Sequence, residues 1–369
     1  MQRQANPIGE LVLIEQIRRA SHLRNASVVL GIGDDCAILR PPSGCELLIT
    51  TDFSLEGRHF RRDRHPPESV GHRCLARGLS DLAAMGAKPL AAFLSLALPR
   101  DIATTKSGQQ WTRRFLHGLH ALGDRYACPL AGGDTAESPS NVAGEAGSSL
   151  PAIASPDLTF PGLILADIIL VGAAPSGKAL RRSGARPGDL LYCTGSLGGA
   201  AAELATVLGR GSMSRIRSGG TAGGNAAQHP HLLPEPRLAT GAALLRRTLA
   251  TAALDLSDGL STDLMHLCVA SGVHAVVDAA ALPFHPLAAA LGPKPALQAA
   301  LHGGEDYELL FTAAASTRMP RSLAGVPITP IGRITSRRTG QPVMTLLHPD
   351  GTRHPLEPSG WEHFSSSPH

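Results

Sequence analysis

Aromatic residues are scarce, at 4% of 369 positions, and 34 Lys and Arg against 30 Asp and Glu leave a net charge of only +4. The basic pairs Arg61-Arg62, Arg113-Arg114, Arg181-Arg182 and Arg246-Arg247 are spread along the chain. A nucleic-acid groove needs a clustered basic stripe interleaved with aromatics, so no nucleic-acid partner is expected. None of the six cysteines (Cys36, Cys45, Cys74, Cys128, Cys193, Cys268) belongs to a C-x-x-C pair. That argues against a zinc site or a redox couple and for free thiols in a reducing compartment. No apolar run reaches the ~20 residues of a bilayer span, the most apolar stretch, 163–174, being interrupted by Asp167. Residues 1–20 hold Glu10, Glu15 and three arginines without a long apolar core, unlike a signal peptide. A soluble cytoplasmic protein with no membrane partner is expected.

The length favours two domains, each able to bury its own core. The break is expected near residues 172–188, which gives an N-terminal domain over 1–176 and a C-terminal domain over 177–369. Apolar periodicity predicts helices at 9–20, 68–85 and 112–126 in the first half, with strands at 47–49, 89–98, 128–131 and 163–171. In the second half it predicts strands from Asp189, at 252–256, 273–277 and 308–312, and a last one at 328–334. Helices are expected after the glycine turn Thr194-Gly-Ser-Leu-Gly-Gly199, at 237–249 and at 260–270. Residues 138–161 and 209–230, rich in Ser, Gly and Ala, read as loops or insertions. The fold class is α+β, or α/β, in two halves.

What the chain does have is four short acidic turns at or just after apolar runs: Gly31-Ile-Gly-Asp-Asp35, Thr50-Thr-Asp52, Gly132-Gly-Asp-Thr135 and Asp255-Leu-Ser-Asp-Gly259. Any one of these is more often a plain turn, because Asp and Gly favour turns without any ligand. Carboxylates gathered from distant segments repel one another unless cations lie between them, and Mg²⁺ with a polyphosphate is the usual reason to assemble such a set. The spacing also puts Asp81 on the core-facing side of its helix, where it needs a partner: Arg77 one turn earlier, or a metal. Gly172-Ala-Ala-Pro-Ser-Gly-Lys-Ala179 imitates a P-loop but has Ala179 where a hydroxyl would hold Mg²⁺, and Pro175 removes an N–H donor. The glycine turn at 194–199 is a poor dinucleotide fingerprint, and Ser257, Leu260 and His266 break phosphatase and EF-hand patterns around Asp255.

Taken in order along the chain, several motifs resemble those of the thiamine-monophosphate kinases, of the aminoimidazole-ribonucleotide synthetase-like superfamily. They are Gly31-Ile-Gly-Asp-Asp-Cys-Ala37, Thr50-Thr-Asp-Phe-Ser-Leu-Glu-Gly-Arg-His-Phe60, Leu79-Ser-Asp-Leu-Ala-Ala-Met-Gly-Ala87 and Ala131-Gly-Gly-Asp-Thr135. Leu180-Arg-Arg-Ser-Gly-Ala185, Asp255-Leu-Ser-Asp-Gly-Leu-Ser-Thr-Asp-Leu264 and Gly303-Gly-Glu-Asp-Tyr-Glu-Leu309 continue the series. The resemblance implies a mixed-sheet N-terminal half that dimerises and binds ATP and magnesium, followed by a C-terminal α/β half. It assigns Asp34, Thr50, Thr51, Asp52, Asp81, Asp134, Asp255 and Asp258 to several Mg²⁺ ions, and Gly133, Asp134, Arg182 and Ser257 to ATP. His59, Glu305 and Trp361 would surround thiamine monophosphate, with Glu305 balancing the cationic thiazolium and Trp361 offering a stacking face. The implied reaction is direct in-line γ-phosphoryl transfer from ATP to thiamine monophosphate by a homodimer, with no side chain acting as a catalytic base. The alternatives are the ring-closing synthetase of purine biosynthesis, disfavoured by Gly303-Gly-Glu-Asp-Tyr-Glu-Leu309, and a non-catalytic nucleotide-binding protein. The selenophosphate and hydrogenase-maturation relatives lack their cysteine signals here.

Overall fold

The computed structural model describes residues 10–22, 25–139, 162–209 and 229–360. Its elements in order are α1 (Glu10–Ala20), β1 (Val28–Leu30), β2 (Ile38–Leu39), β3 (Cys45–Leu55), α2 (Pro67–Ala84), β4 (Lys88–Leu98), α3 (Arg100–Thr104), α4 (Lys106–Tyr126), β5 (Leu130–Glu137) and β6 (Leu165–Pro175). There follow β7 (Leu190–Thr194), α5 (Gly199–Gly209), α6 (Leu238–Arg246), β8 (Ala252–Asp255), α7 (Leu260–Ser271), β9 (Val273–Asp278), α8 (Pro286–Ala289) and α9 (Pro293–His302). The described residues finish with β10 (Leu309–Ala313), β11 (Ser322–Leu323), β12 (Val326–Ser336), β13 (Met344–Leu347) and β14 (Arg353–Pro355). They form two compact units. Among the described residues, one comprises those up to Pro41 with Ile49–Gly78 and those from Pro89 to Val171; the other comprises Pro42–Leu48, Leu79–Lys88 and those from Gly172 on.

In the first unit a four-stranded sheet runs β3-β6-β4-β5, with β4 and β5 parallel. The helices α2 and α4 cross where both have glycine: a Cβ on Gly71 would lie 1.9 Å from the Phe115 carbonyl oxygen, and one on Gly118 1.9 Å from that of Glu68. Only hydrogen at these positions lets the backbones approach so closely. The sequence expectations for two strands fall short. The strand expected at 47–49 continues to Leu55, so Thr50, Thr51 and Asp52 lie inside it rather than at its end. The short strand expected at 128–131 runs through Gly132-Gly-Asp-Thr135 to Glu137, because that segment pairs residue by residue with β4, from Gly132 opposite Phe93 to Glu137 opposite Leu98. Tertiary pairing overrides the turn preference of Gly and Asp. Likewise α4 begins at Lys106, ahead of the expected 112, capped by the Thr105 hydroxyl accepting from the Gly108 N–H.

The second unit is built on a sheet ordered β14-β13-β9-β12-β7-β10-β8, with β11 beside β12; all neighbours are antiparallel except β13 and β9. Helix α7 packs Leu260, Leu264, Leu267 and Cys268 into its core, the one-sided spacing of an amphipathic helix. Against them lie Leu191, Cys193, Leu254, Ala275, Val277, Leu310 and Ile331 from the strands. The strand expected to be last, 328–334, is instead followed by β13 and β14, and α9 was not expected. The stretches 140–161 and 210–228 of the expected loops, and Trp361, lie outside the described residues.

Candidate functional site

In the second unit, β8 ends on Asp255, which delivers the segment Asp255-Leu-Ser-Asp-Gly259 to the start of α7. The loop Gly303–Glu308 lies directly on it. The Glu305 N–H donates to the Ser257 carbonyl at 2.8 Å and the Tyr307 N–H to the Leu256 carbonyl at 2.9 Å, while the Leu256 N–H donates back to the Glu308 carbonyl at 2.8 Å. A Cβ on Gly304 would lie 2.6 Å from the Ser257 carbonyl oxygen, and one on Gly360 1.9 Å from that of Asp258. Glycine at both positions is what lets two segments distant in sequence close around Ser257 and Asp258. Glu305 and Tyr307 have φ of 67° and 50°. For side chains with a Cβ this left-handed backbone is strained, and such residues gather at functional sites.

The acids here divide by what holds them. Asp255 is buried and accepts the Ser80 hydroxyl at 2.7 Å. Burial first, and the nearby Asp81 carboxylate second, push its carboxyl up to about 7. Asp263, not singled out by sequence reasoning, is buried within the first turn of α7, where one carboxylate oxygen accepts the N–H groups of Asp258 and Gly259, each at 3.1 Å. Burial, then Asp255 and Asp258, raise its carboxyl well above the usual range. Its signal was present in the sequence: an acid four residues after a glycine at a helix start is placed to bind the free N–H groups of the first turn. Asp306 accepts the Gly198 N–H at 2.7 Å and the Ala200 N–H at 3.1 Å, so it caps α5. Glu308 is buried and takes Arg237 Nε at 2.7 Å, Arg237 Nη2 at 2.5 Å and the Thr194 hydroxyl at 2.6 Å. Arg182 is exposed on the chain leading to β7, and its charge lowers the Asp255 carboxyl slightly against the larger upward effects.

The first unit carries the remaining predicted residues. Alternation along β3 puts Thr50 and Asp52 on the face of buried Leu48 and Ser54, whereas Thr51 shares the outer face with exposed Ile49 and Phe53. The three are therefore not brought together by their side chains. Asp34 is exposed in the bend after β1 and accepts the Asp35 N–H at 2.9 Å. Asp134, exposed on β5, accepts the Thr135 N–H at 2.9 Å. Gly133 next to it has φ of 148°, and a Cβ there would lie 1.9 Å from the Leu94 carbonyl oxygen. Its place is thus explained by the close β4 pairing alone. His59 lies just past β3, its Nδ1 accepting the Leu55 N–H at 2.9 Å and its carbonyl the Arg73 guanidinium at 2.9 Å. It lines a small hollow with Ser54, Phe60, Val70, Arg73 and Arg77.

Among the described residues no three His, Cys, Asp or Glu side chains converge as a ready-made metal cage. The donor chemistry nevertheless fits a hard divalent cation. Asp81 and Asp255 are close enough to repel, and Mg²⁺ is commonly held by one or two carboxylates with the rest of its shell from phosphate and water.

Residues 33–153 match the N-terminal domain, and residues 186–341 the C-terminal domain, of AIR synthase related protein. The thiamine-monophosphate kinase of Escherichia coli K12 is 37% identical over 363 residues, covering 97% of this chain and 99% of its own. This chain belongs to the thiamine-monophosphate kinase family. The crystal structure of thiamine-monophosphate kinase from Stenotrophomonas maltophilia K279a superposes with a TM-score of 0.73 at 34% identity, over 93% of this chain and 97% of the other. AaThiL complexed with AMPPCP and TMP superposes at 0.68 with 28% identity, over 97% of both chains. The family's two-domain mixed α/β fold is thus the fold expected from the sequence.

Proposed function

We propose that this chain phosphorylates thiamine monophosphate to thiamine diphosphate with ATP. The observation that carries this reading is the full-length likeness to a family member complexed with AMPPCP and TMP. An oxygen of the thiamine phosphate attacks the γ-phosphorus, the bond from that phosphorus to the β,γ-bridging oxygen breaks, and ADP leaves. The acceptor is already an ionised phosphate, so no side chain need remove a proton; the barrier is charge repulsion and alignment. Mg²⁺ ions, when bound, would screen the two polyanions and stabilise the charge spreading on the transferred group. In the second unit Asp81, Asp255 and Asp258 would hold them; in the first, Asp34, Thr50, Thr51, Asp52 and Asp134 would do so. Gly133, Asp134, Arg182 and Ser257 would contact ATP, and His59, Glu305 and Trp361 the thiamine moiety.

The 1–176 and 177–369 division is kept as the proposed domain boundary. A homodimer is proposed as well: Leu47, Ile49 and Phe53 project from one face of β3 with exposures of 44%, 67% and 59%. Apolar side chains so exposed on a strand are placed to be covered by a second copy of the chain. No helix among the described residues is long and apolar enough to cross a membrane, and the cytoplasm is the proposed compartment.

The test is an ATP-consumption assay with Mg²⁺, offering thiamine monophosphate, free thiamine or formylglycinamidine ribonucleotide, with thiamine diphosphate detected directly. Diphosphate formed from the monophosphate alone is the expected result. Turnover of the ribonucleotide alone would move the chain to purine biosynthesis, and silence with all three would leave a binding protein.

A further inference from the structure

The segment between α5 and α6 brings a histidine to the substrate loop for which the reading above has no use. His231 is 1% exposed, and its Nδ1 lies 3.0 Å from Glu305 Oε2. The histidine is itself firmly placed. Its backbone N–H donates at 2.8 Å, and that of Leu232 at 3.2 Å, to one carboxylate oxygen of Glu203, a buried residue of α5; the other oxygen lies 2.7 Å from His229 Nδ1. Glu305, in contrast, keeps 22% of its side chain exposed on a backbone with φ of 67°. Its neighbours Asp306 and Glu308 are committed to the α5 cap and to Arg237, so the loop backbone is held while the Glu305 carboxylate stands at its surface.

We infer that His231 is a positioning residue for substrate recognition, holding the Glu305 carboxylate in the orientation that meets the cationic ring of the phosphate-ester acceptor. This rests on the thiamine-monophosphate reading. A glutamate side chain has three rotatable bonds, and a partner that orders it before the ligand arrives removes that ordering cost from binding. His231 is 1% exposed and acts through Glu305, so its influence falls on acceptor affinity and not on the chemical step.

The experiment is steady-state kinetics on the full chain for His231→Leu, His231→Asn, Glu305→Gln and His231→Leu/Glu305→Gln. Loss of one contact to a charged group predicts a rise of about tenfold in KM for thiamine monophosphate in His231→Leu. The KM for ATP and kcat should stay within about twofold of wild type. His231→Asn, which keeps a polar group facing the Glu305 carboxylate, should recover most of the affinity, and His231→Leu should add nothing once Glu305→Gln is present. Should His231→Leu fail to fold, the isosteric pair His231→Asn and His231→Asp decides, the second expected to raise the acceptor KM well above the first. An effect on kcat, an equal rise in both KM values, or full additivity with Glu305→Gln would overturn the inference. If Glu305→Gln itself leaves the acceptor KM unchanged, the fault lies in the role given to Glu305. If Glu305→Gln raises it and His231→Leu does not, only the role of His231 falls.

Discussion

Replacing Arg237 with leucine should damage the second unit far more than loss of a surface charge pair would. Glu308 is 3% exposed, and Arg237 donates to it at 2.7 and 2.5 Å, with the Thr194 hydroxyl adding a third bond at 2.6 Å. Arg237→Leu removes the compensating charge and leaves a buried carboxylate with a single hydroxyl donor among these three. Breaking a buried pair from one side costs about 3–5 kcal/mol, against about 0–1 kcal/mol for an exposed pair. For a unit of this size each kcal/mol corresponds to about 2–4 °C, so a fall in melting temperature on the order of 10 °C is expected. Glu308→Leu in the same background should restore much of the loss, because no charge is then left buried. The assay is thermal unfolding of the two single variants and the double one, read as a double-mutant cycle with urea midpoints as a check. A cost under about 1 kcal/mol for Arg237→Leu would refute the buried-pair account, and so would a double variant as unstable as the two singles added together.

Three other outcomes follow from the same geometry. Gly118→Ala would raise helix propensity by about 1 kcal/mol at an open position, but its Cβ would lie 1.9 Å from the Glu68 carbonyl oxygen; a net loss of about 1–3 kcal/mol should appear in urea unfolding. His274 is buried between the hydroxyls of Thr335 at 2.7 Å and Thr345 at 3.0 Å, and burial lowers its pKa below 6.5. A lowered pKa means its contribution is present above pH 6.5 and lost as pH falls through the folded value, so stability should drop on acidification through that window and drop less in His274→Val. Asp52→Asn and Asp134→Asn should each reduce turnover on the order of 100-fold with little change in unfolding midpoint, because each removes a charge proposed to bind metal from a side chain outside the hydrophobic core; retained activity in both would sink the metal assignment.

How much of the fold could be read in the sequence depended on whether local pattern and tertiary pairing agreed. Helices α1 and α2 and strand β4 appear close to where periodicity puts them, because the apolar spacing of each records the side it buries. Strand β5 disagrees, for Gly132-Gly133-Asp134 looks like a turn and becomes strand through its register with Phe93, Leu94 and Ser95. Nothing local to those three residues announces the neighbour. Strands β13 and β14 escaped for a related reason: they are short, lie near one edge of the sheet, and follow a stretch of polar and turn-forming residues.

The candidate site shows the same limit at the level of single side chains. Gly303-Gly-Glu-Asp-Tyr-Glu-Leu309 presents three acids within four positions, and composition alone treats them as equivalent. The fold separates them: Asp306 caps α5, Glu308 is buried on Arg237, and Glu305 stays partly exposed beside His231. A motif can therefore name the segment proposed for recognition, while partners from β7, the start of α5 and the 229–237 segment decide which carboxylate stays at the surface. Those partners lie some 70 to 110 residues away in sequence, so no local pattern could have separated the two structural acids from the one at the surface. The distinction has an experimental form. Asp306→Asn and Glu308→Gln should lower the unfolding midpoint, whereas Glu305→Gln should leave it near wild type and change acceptor affinity instead. Equal destabilisation by all three would mean that Glu305, too, is structural, and that the cationic ring is met elsewhere.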